Sequence, residues 1–426
     1  MSKIPVFEEV IELYKSSDTK QRSQGWFKLV EACKPGLTFE EGEFLLRAAT
    51  QKFPPGRVVG HEAAESLIWE VSQRATVDYL PLLRELIPLY DPHTRTEAVR
   101  FLTSLDEREA AVTWMDLARK YARNGGIERL NTTLWYRKPR HADVFFPEIL
   151  EFASDPRYTS DIYRMCLQYG KYGLLPVDQL APYGDSLETQ VRDARKRAEP
   201  YQDQIVGDWM WDDETYFYLS QDLEILVDVA QYFTSPRVAA ELRETLKLRD
   251  RHVKTFTVTS LVALGEAVDP HQVADAAVCA ETRCFLFDKL KKYGKLDLCP
   301  EQFRTQAALA EGELVKWLTW AGELGRAPDE IELMKVISID TETEDGFLDS
   351  YVFRFRTLGA DSETSGEWMA GSAGPYLRKD APTTYSYESS FSAFSEWDTM
   401  TPEEHQGAIQ SILEDWKEAR DRKGQA

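Results

Sequence analysis

Residues 311–340, EGELVKWLTWAGELGRAPDEIELMKVISID, are where the periodicity of the sequence changes. Trp317 and Trp320 lie three positions apart and therefore share one helix face. After Gly325, a typical residue at a helix end, the apolar positions alternate as they do in a β-strand. We therefore expect a helical region to end here and a small β unit to begin, with both tryptophans packed at the junction.

The sequence before this change has the pattern of stacked helical hairpins. Intervals of 30 to 42 residues separate the points at which the helical pattern restarts, which are Asp18, Gly60, Asp91, Gly125 and Asp155. Such intervals are typical of hairpin repeats, which bury their apolar faces only against their neighbours. We therefore predict a mainly α fold: an α-solenoid over residues 1–325, irregular around residues 170–210, and a small α+β domain over residues 326–426.

The second domain is predicted to contain an antiparallel sheet and a terminal helix. In the second strand, Tyr351, Phe353 and Phe355 alternate onto one face. Thr401, followed by Pro402 and by Glu404, is a strong helix start, because the threonine caps the helix and the glutamate completes a capping box. The predicted strands lie near residues 331–339, 348–357 and 366–375, and Gly371 and Gly374 in the third predict a bulge or a close approach of another backbone.

Two segments resemble the start of the second helix in a HEAT repeat. They are DPHTRTEAV from Asp91 and DRHVK from Asp250, in which the aspartate caps the helix. The junction WLTWAGELGRAPDEIELMKV at residues 317–336, with the later FRFRT and GEWMAGSAGP segments, also resembles uncharacterised bacterial HEAT-repeat proteins with a β tail. The resemblance implies a HEAT-like fold and a cytoplasmic location, and it transfers no functional residue.

The chain of 426 residues carries a net charge of -21, and the excess acid is unevenly distributed. Residues 201–250 carry 4 basic and 11 acidic side chains, and residues 301–350 carry 4 and 12. Residues 1–200 are nearly neutral, with 28 basic and 30 acidic side chains. This acidity disfavours binding to nucleic acid or to an anionic membrane, and it favours a basic protein or peptide as the partner.

The cysteines favour a reducing compartment. Their number is odd and their spacing is scattered, which argues against a disulfide framework; they are Cys33, Cys166, Cys279, Cys284 and Cys299. The N-terminus lacks the apolar core of a signal peptide, and no apolar run reaches the ~18 residues that a membrane-spanning helix needs. We therefore expect a soluble, cytoplasmic protein.

Three patterns invite a metal-site interpretation, and each is incomplete. His61 and Glu65 would lie one turn apart as zinc ligands do, but further ligands are missing and a helix N-terminus rich in acid is favoured. Cys279, Cys284 and Cys299 are interpreted as buried core residues, because they lack zinc-type pair spacing. The acidic loop at residues 340–346 lacks the glycine and glutamate positions of a calcium loop. We expect no metal and no cofactor.

Two segments combine aromatic and charged residues. Residues 135–141, WYRKPRH, could contact a phosphate, but a solvated loop is favoured. Residues 209–218, WMWDDETYFY, could anchor a basic partner. The alternative for this second segment is that its acids cap a helix and its aromatic residues are core. The candidate binding residues are Trp209, Trp211, Asp212, Asp213, Tyr216 and Tyr218.

These observations favour a non-catalytic interaction or scaffold protein that uses an acidic, aromatic-bearing surface. An inhibitor or immunity protein directed against a basic partner has the same physical requirements. The alternative is an enzyme whose site lies between the solenoid and the β unit, for example a HEAT-like nucleic-acid glycosylase. That enzyme would need a basic groove, for which the sequence has no signal.

Overall fold

The computed structural model of the protein describes residues 2–56, 62–74, 76–130, 139–204, 214–320, 323–340, 346–358, 366–386 and 401–424. Within these residues the fold is mainly α-helical, with a small antiparallel sheet and a terminal helix, as predicted. Internal contacts divide the chain into two compact units, Met1–Ser186 and Leu187–Ala426. The predicted domain boundary at residues 325/326 stays a prediction.

The first unit consists of helices that pack on their neighbours in sequence. Several begin where the capping signals predict: the Asp18 side chain accepts a hydrogen bond from the backbone N–H of Lys20, and Thr38 and Glu41 form the reciprocal capping box. The helices are α1 (Ile4–Tyr14), α2 (Thr19–Cys33), α3 (Phe39–Ala48), α4 (Ala63–Ser72), α5 (Leu80–Leu86), α6 (Pro92–Thr103), α7 (Arg108–Tyr121), α8 (Ala142–Phe145) and α9 (Thr159–Lys171).

The second unit begins within a helix and contains the sheet. Its elements are α10 (Gly184–Ala198), α11 (Glu214–Val229), α12 (Pro236–Thr245), α13 (Arg251–Ala263), α14 (Pro270–Val278), α15 (Ala280–Lys292), α16 (Gln306–Leu318), β1 (Glu330–Asp340), β2 (Phe347–Arg356), β3 (Met369–Leu377) and α17 (Pro402–Gly424). Helix α13 packs against α11 and α15, so that three alternate helices form one layer. Helices α12 and α14 both contact α13, and α16 packs against α15. This packing of hairpins is what the repeat pattern predicts.

The sheet has the strand order β1-β2-β3 and is antiparallel throughout. Tyr351, Phe353 and Phe355 lie on one face and pack against α16, which confirms their predicted alternation. On the other face, Ile409 and Leu413 of α17 pack on the sheet. Each fully buried aromatic or aliphatic side chain here contributes on the order of 1.5–3 kcal/mol. The β unit therefore shares its core with a helix on each face.

The third strand needs a glycine at position 374. Gly374 has a φ of +113°, and a Cβ atom added there would lie 2.9 Å from the carbonyl oxygen of Asp349. The register between β2 and β3 shifts between Asp349 and Tyr351. The glycines of this segment predict a bulge or a close approach of another backbone, and the structure shows both an irregular register and a close approach at Gly374.

The two junction tryptophans have different environments. Trp317 packs against the core between α16 and the sheet, as expected. Trp320 is 60% exposed, so the prediction that it is packed is wrong. The reason is that α16 ends at Leu318 and Thr319 is its C-cap, so the helical periodicity that would place Trp320 beside Trp317 has already ended.

Among the described helices, none is long and apolar enough to cross a membrane.

Candidate functional site

Most of the predicted binding segment lies outside the described residues, namely Trp209, Trp211, Asp212 and Asp213. Tyr218, on the first turns of α11, is 58% exposed. Tyr216 is only 1% exposed, because it faces α13. Its hydroxyl donates a hydrogen bond to Oδ2 of Asp250 at 2.7 Å, and Ser220 donates to the same oxygen at 2.8 Å. Tyr216 is thus a core residue, and Tyr218 is accessible to a partner.

The incomplete metal patterns have structural roles where they are described. Glu62 and Glu65 form a capping box at the start of α4, and His61 lies outside the described residues. Cys279, Cys284 and Cys299 are buried in the core, as interpreted from the sequence. Within the described ranges, no group of three or more His, Cys, Asp or Glu side chains is arranged to hold a metal ion.

The other candidate loops lie mostly beyond the described ranges. Of the acidic loop, residues 341–345 are outside them, as are residues 135–138 of the basic-aromatic segment. Arg140, which is described, pairs with Asp106 at 3.2 Å, and both side chains are exposed. Such an exposed pair contributes little free energy, which agrees with a solvated loop at this end of the segment.

A chain of four polar side chains crosses the layer formed by α11, α13 and α15. Nδ1 of His252 lies 3.7 Å from Oε1 of Glu224, and Nε2 of His252 lies 3.0 Å from Oε2 of Glu281. The hydroxyl of Thr319 donates to Oε1 of Glu281 at 3.2 Å. These four residues are called the carboxylate–histidine row, and they form the candidate site.

Helical spacing explains why this row forms. Residues at intervals of four share one face of α11, and in this helix they are Tyr216, Ser220, Glu224 and Asp228. Tyr216 and Ser220 bind the side chain of Asp250, which caps α13 by accepting from the backbone N–H of Val253 at 3.1 Å. His252 follows this cap by two residues. The cap therefore fixes where α13 begins, and with it the position of the imidazole.

The row is half-buried and electrostatically unusual. The side chains of Glu224, His252 and Glu281 are 23%, 14% and 18% exposed. The pKa of Glu224 is raised to about 7, mainly by burial; the carboxylates of Asp250 and Glu281 act in the same direction, and His252 opposes them. Burial alone would lower the pKa of His252, but its contacts with Cys279 and Glu281 outweigh burial and hold it well above its usual value.

A second polar pair lies one to two turns further along the same helices. Nζ of Lys289 lies 3.9 Å from Oδ1 of Asp228 and donates to the side-chain oxygen of Gln231 at 3.1 Å. Burial raises the pKa of Asp228, although Lys289 opposes this. Phe256 and Phe285 lie one turn after His252 and Glu281 on their helices, and their ring centroids are 4.8 Å apart. The layer thus combines half-buried carboxylates, two cations and two aromatic rings.

The row joins the two acid-rich parts of the sequence. Glu224 belongs to residues 201–250, whereas Thr319 and the exposed Trp320 belong to residues 301–350. Charge counting pointed to these windows but did not find His252 or Glu281. A usable signal was present, because Glu224, His252 and Glu281 are separated by 28 and 29 residues, close to the repeat interval. Equivalent positions in successive repeats lie side by side.

No protein family, no curated protein and no solved structure matches this chain. The likeness to HEAT repeats therefore rests on the sequence pattern alone and stays a prediction.

Proposed function

We propose that this protein is a non-catalytic interaction protein that binds a basic protein or peptide on the face containing the carboxylate–histidine row. The observation that carries the proposal is the contact chain from Glu224 through His252 and Glu281 to Thr319. It brings side chains from the two acid-rich windows into one place. An inhibitory or immunity function against a basic partner is one form that this activity could take.

The composition of this face suits a protein ligand. Trp320 is exposed next to Thr319, whose hydroxyl binds Glu281 of the row. Tyr218 is also exposed, but it lies two residues from both Tyr216 and Ser220 and therefore on another side of α11 from Glu224. Exposed Trp and Tyr side chains are the residues that most often anchor protein interfaces. The carboxylates of the row would attract a basic partner and increase its rate of association.

The described cations of this face favour binding over nucleic-acid chemistry. His252 and Lys289 each lie next to carboxylates of their own chain. A glycosylase-like enzyme, the alternative class, would need unpaired cations to hold the phosphate backbone. A cytoplasmic location is part of the same proposal, and it is supported by five free, buried thiols, which are typical of a reducing compartment.

The test is calorimetric titration of the full chain with a synthetic hexa-arginine peptide. We expect saturable binding that weakens with salt, and Glu281→Lys should weaken it at least about tenfold, because it replaces an attractive charge by a repulsive one. Glu301→Lys, an exposed site outside the row, is the matched control and should change affinity about twofold at most. Absence of binding, or equal effects of the two variants, would contradict the proposed function.

A further inference from the structure

Glu224 faces more negative than positive charge. From α13 and its N-cap it meets His252 and Asp250, from α15 it meets Glu281, and from α11 itself it meets Asp228. Lys289 of α15 pairs with Asp228, and Cys279, the N-cap of α15, contacts His252. The short helix after α11, Ala230–Tyr232, carries no Asp, Glu, Lys, Arg or His side chain. Two further cations of α13, Arg251 and Lys254, are both paired with Asp275 on α14. The row therefore lacks one positive charge, and a proton on Glu224 can supply it.

We propose that a basic partner binds the row in exchange for one proton, which leaves the carboxyl of Glu224 when a guanidinium or ammonium group of the partner takes its place. This inference rests on the proposed function and adds its regulation by pH. The protonated carboxyl and the cationic partner combine to give an ion pair, and the released proton passes to the solvent. The total charge of the protein, the partner and the proton is the same before and after the exchange.

The geometry supports an exchange at Glu224 more than at His252. His252 already has carboxylates on both ring nitrogens, at 3.7 and 3.0 Å, so it keeps its proton when a cation arrives nearby. Glu224 has one cationic neighbour at the longer of these two distances, and its side chain is 23% exposed. A carboxyl with a pKa of about 7 is half protonated at neutral pH. A cation that binds beside it favours the ionised form, so the proton leaves.

Proton release can be counted directly. The hexa-arginine peptide is titrated into the full chain at about pH 7 in two buffers, phosphate and Tris, whose ionisation enthalpies differ. The difference between the binding enthalpies in the two buffers should correspond to about half a proton released per peptide. Affinity should rise about tenfold between about pH 6 and about pH 8, at constant ionic strength. Glu224→Gln should abolish both effects while leaving measurable binding, and the matched control Glu301→Gln should retain both.

Each outcome has a separate meaning. No binding of the peptide at any pH overturns the proposed function. Binding by the unaltered protein without proton release, and with equal affinity at both ends of the pH range, overturns this inference alone and requires no variant. Proton release that persists in Glu224→Gln overturns the assignment to Glu224, provided that the variant has the same circular dichroism spectrum as the unaltered protein.

Discussion

The two units of the protein each place a histidine between two carboxylates, and they do so in the same way. His93 of α6 and His252 of α13 both follow an N-cap aspartate by two residues. Nε2 of His93 lies 3.5 Å from Glu65 and Nδ1 lies 2.9 Å from Glu128; the distances resemble those around His252, with the two ring nitrogens exchanged. In both units the preceding glutamate stands 28 residues before the histidine. The arrangement is therefore a repeated feature of stacked hairpins.

The surroundings of the two histidines differ. The side chain of Glu128 is 53% exposed, whereas both carboxylates beside His252 are mostly buried. In the first unit, the guanidinium of Arg100 also lies 4.3 Å from the ring centroid of Trp69. The first unit thus provides its own arginine beside an aromatic ring, and in the second unit Trp320 is exposed. Arg100 pairs with Glu97 of its own helix, so the two histidine sites carry the same set of charges and differ in how far their carboxylates are exposed to water.

The largest expected difference concerns removal of the histidines. His252→Ala would leave Glu224 and Glu281 facing each other without a cation, and it should lower the free energy of unfolding by about 3 kcal/mol. His93→Ala should cost about 1 kcal/mol or less, because water reaches Glu128. Chemical denaturation gives the totals, and hydrogen exchange of α6 and α13 assigns them to a unit. Equal costs would show that burial does not distinguish the two sites.

The second difference concerns pH. The folded-state pKa of Glu224, about 7, is above its ordinary value of 4.5, so stability is lost as pH rises between these values. The raised pKa of His252 acts in the same direction: its contribution is complete below about pH 6.5 and disappears as pH rises through the folded-state value. Glu224→Gln should therefore raise the free energy of unfolding at about pH 8 by roughly 1–2 kcal/mol, and by little at about pH 5.

The corresponding change in the first unit is Glu128→Gln. Its effect should stay within about 0.5 kcal/mol at both pH values, because an exposed ion pair contributes little. Denaturant titrations of the four protein and pH combinations test this comparison. A stabilisation by Glu128→Gln as large as that by Glu224→Gln would remove the proposed distinction between the two units.

Local sequence signals predicted the elements well and the site poorly. The capping residues Asp91 and Asp250, the alternation of Tyr351 with Phe353, and the glycine at 374 each depend on a few neighbouring residues, and each was predicted correctly. Environments that depend on more of the fold were not all predictable. Trp320 follows the end of α16, for which the local sequence has no clear signal. Tyr216 is buried by a contact with Asp250, which lies more than 30 residues further along the chain at the start of α13. The row itself depends on the register of three stacked helices.

The third prediction compares Trp69, whose ring contacts the guanidinium of Arg100, with the exposed Trp320. Trp69→Ala should lower the free energy of unfolding by about 1–2 kcal/mol, since it removes half-buried surface and the contact with Arg100. Trp320→Ala should change stability by less than about 0.5 kcal/mol, but it should accelerate dissociation of the hexa-arginine peptide about five- to tenfold. Stopped-flow fluorescence and denaturant titration measure these two quantities. If Trp320→Ala destabilises the protein as much as Trp69→Ala does, its exposure is not the relevant difference.

The smallest effect is expected from charges that steer the partner without touching it. Asp212 and Asp213 immediately precede α11, although they lie outside the described residues. Reversing both to lysine should lower the association rate of the hexa-arginine peptide about two- to fivefold at ~0.05 M salt, because steering acts over about a Debye length. The dissociation rate should hardly change.

The matched control reverses two charges in the first unit, Glu8→Lys with Glu12→Lys on α1. Both variants change the net charge of -21 by the same amount, so a general effect of charge would slow association equally. Local steering toward the second unit instead predicts a decrease for the Asp212 and Asp213 variant that is absent in the control. The decrease should also vanish at ~0.5 M salt, where the Debye length is only about 4–5 Å. A decrease in the association rate that persists in high salt would mean that the two aspartates contact the peptide. The acidic side chains of the second unit would then act by contact instead of by long-range attraction.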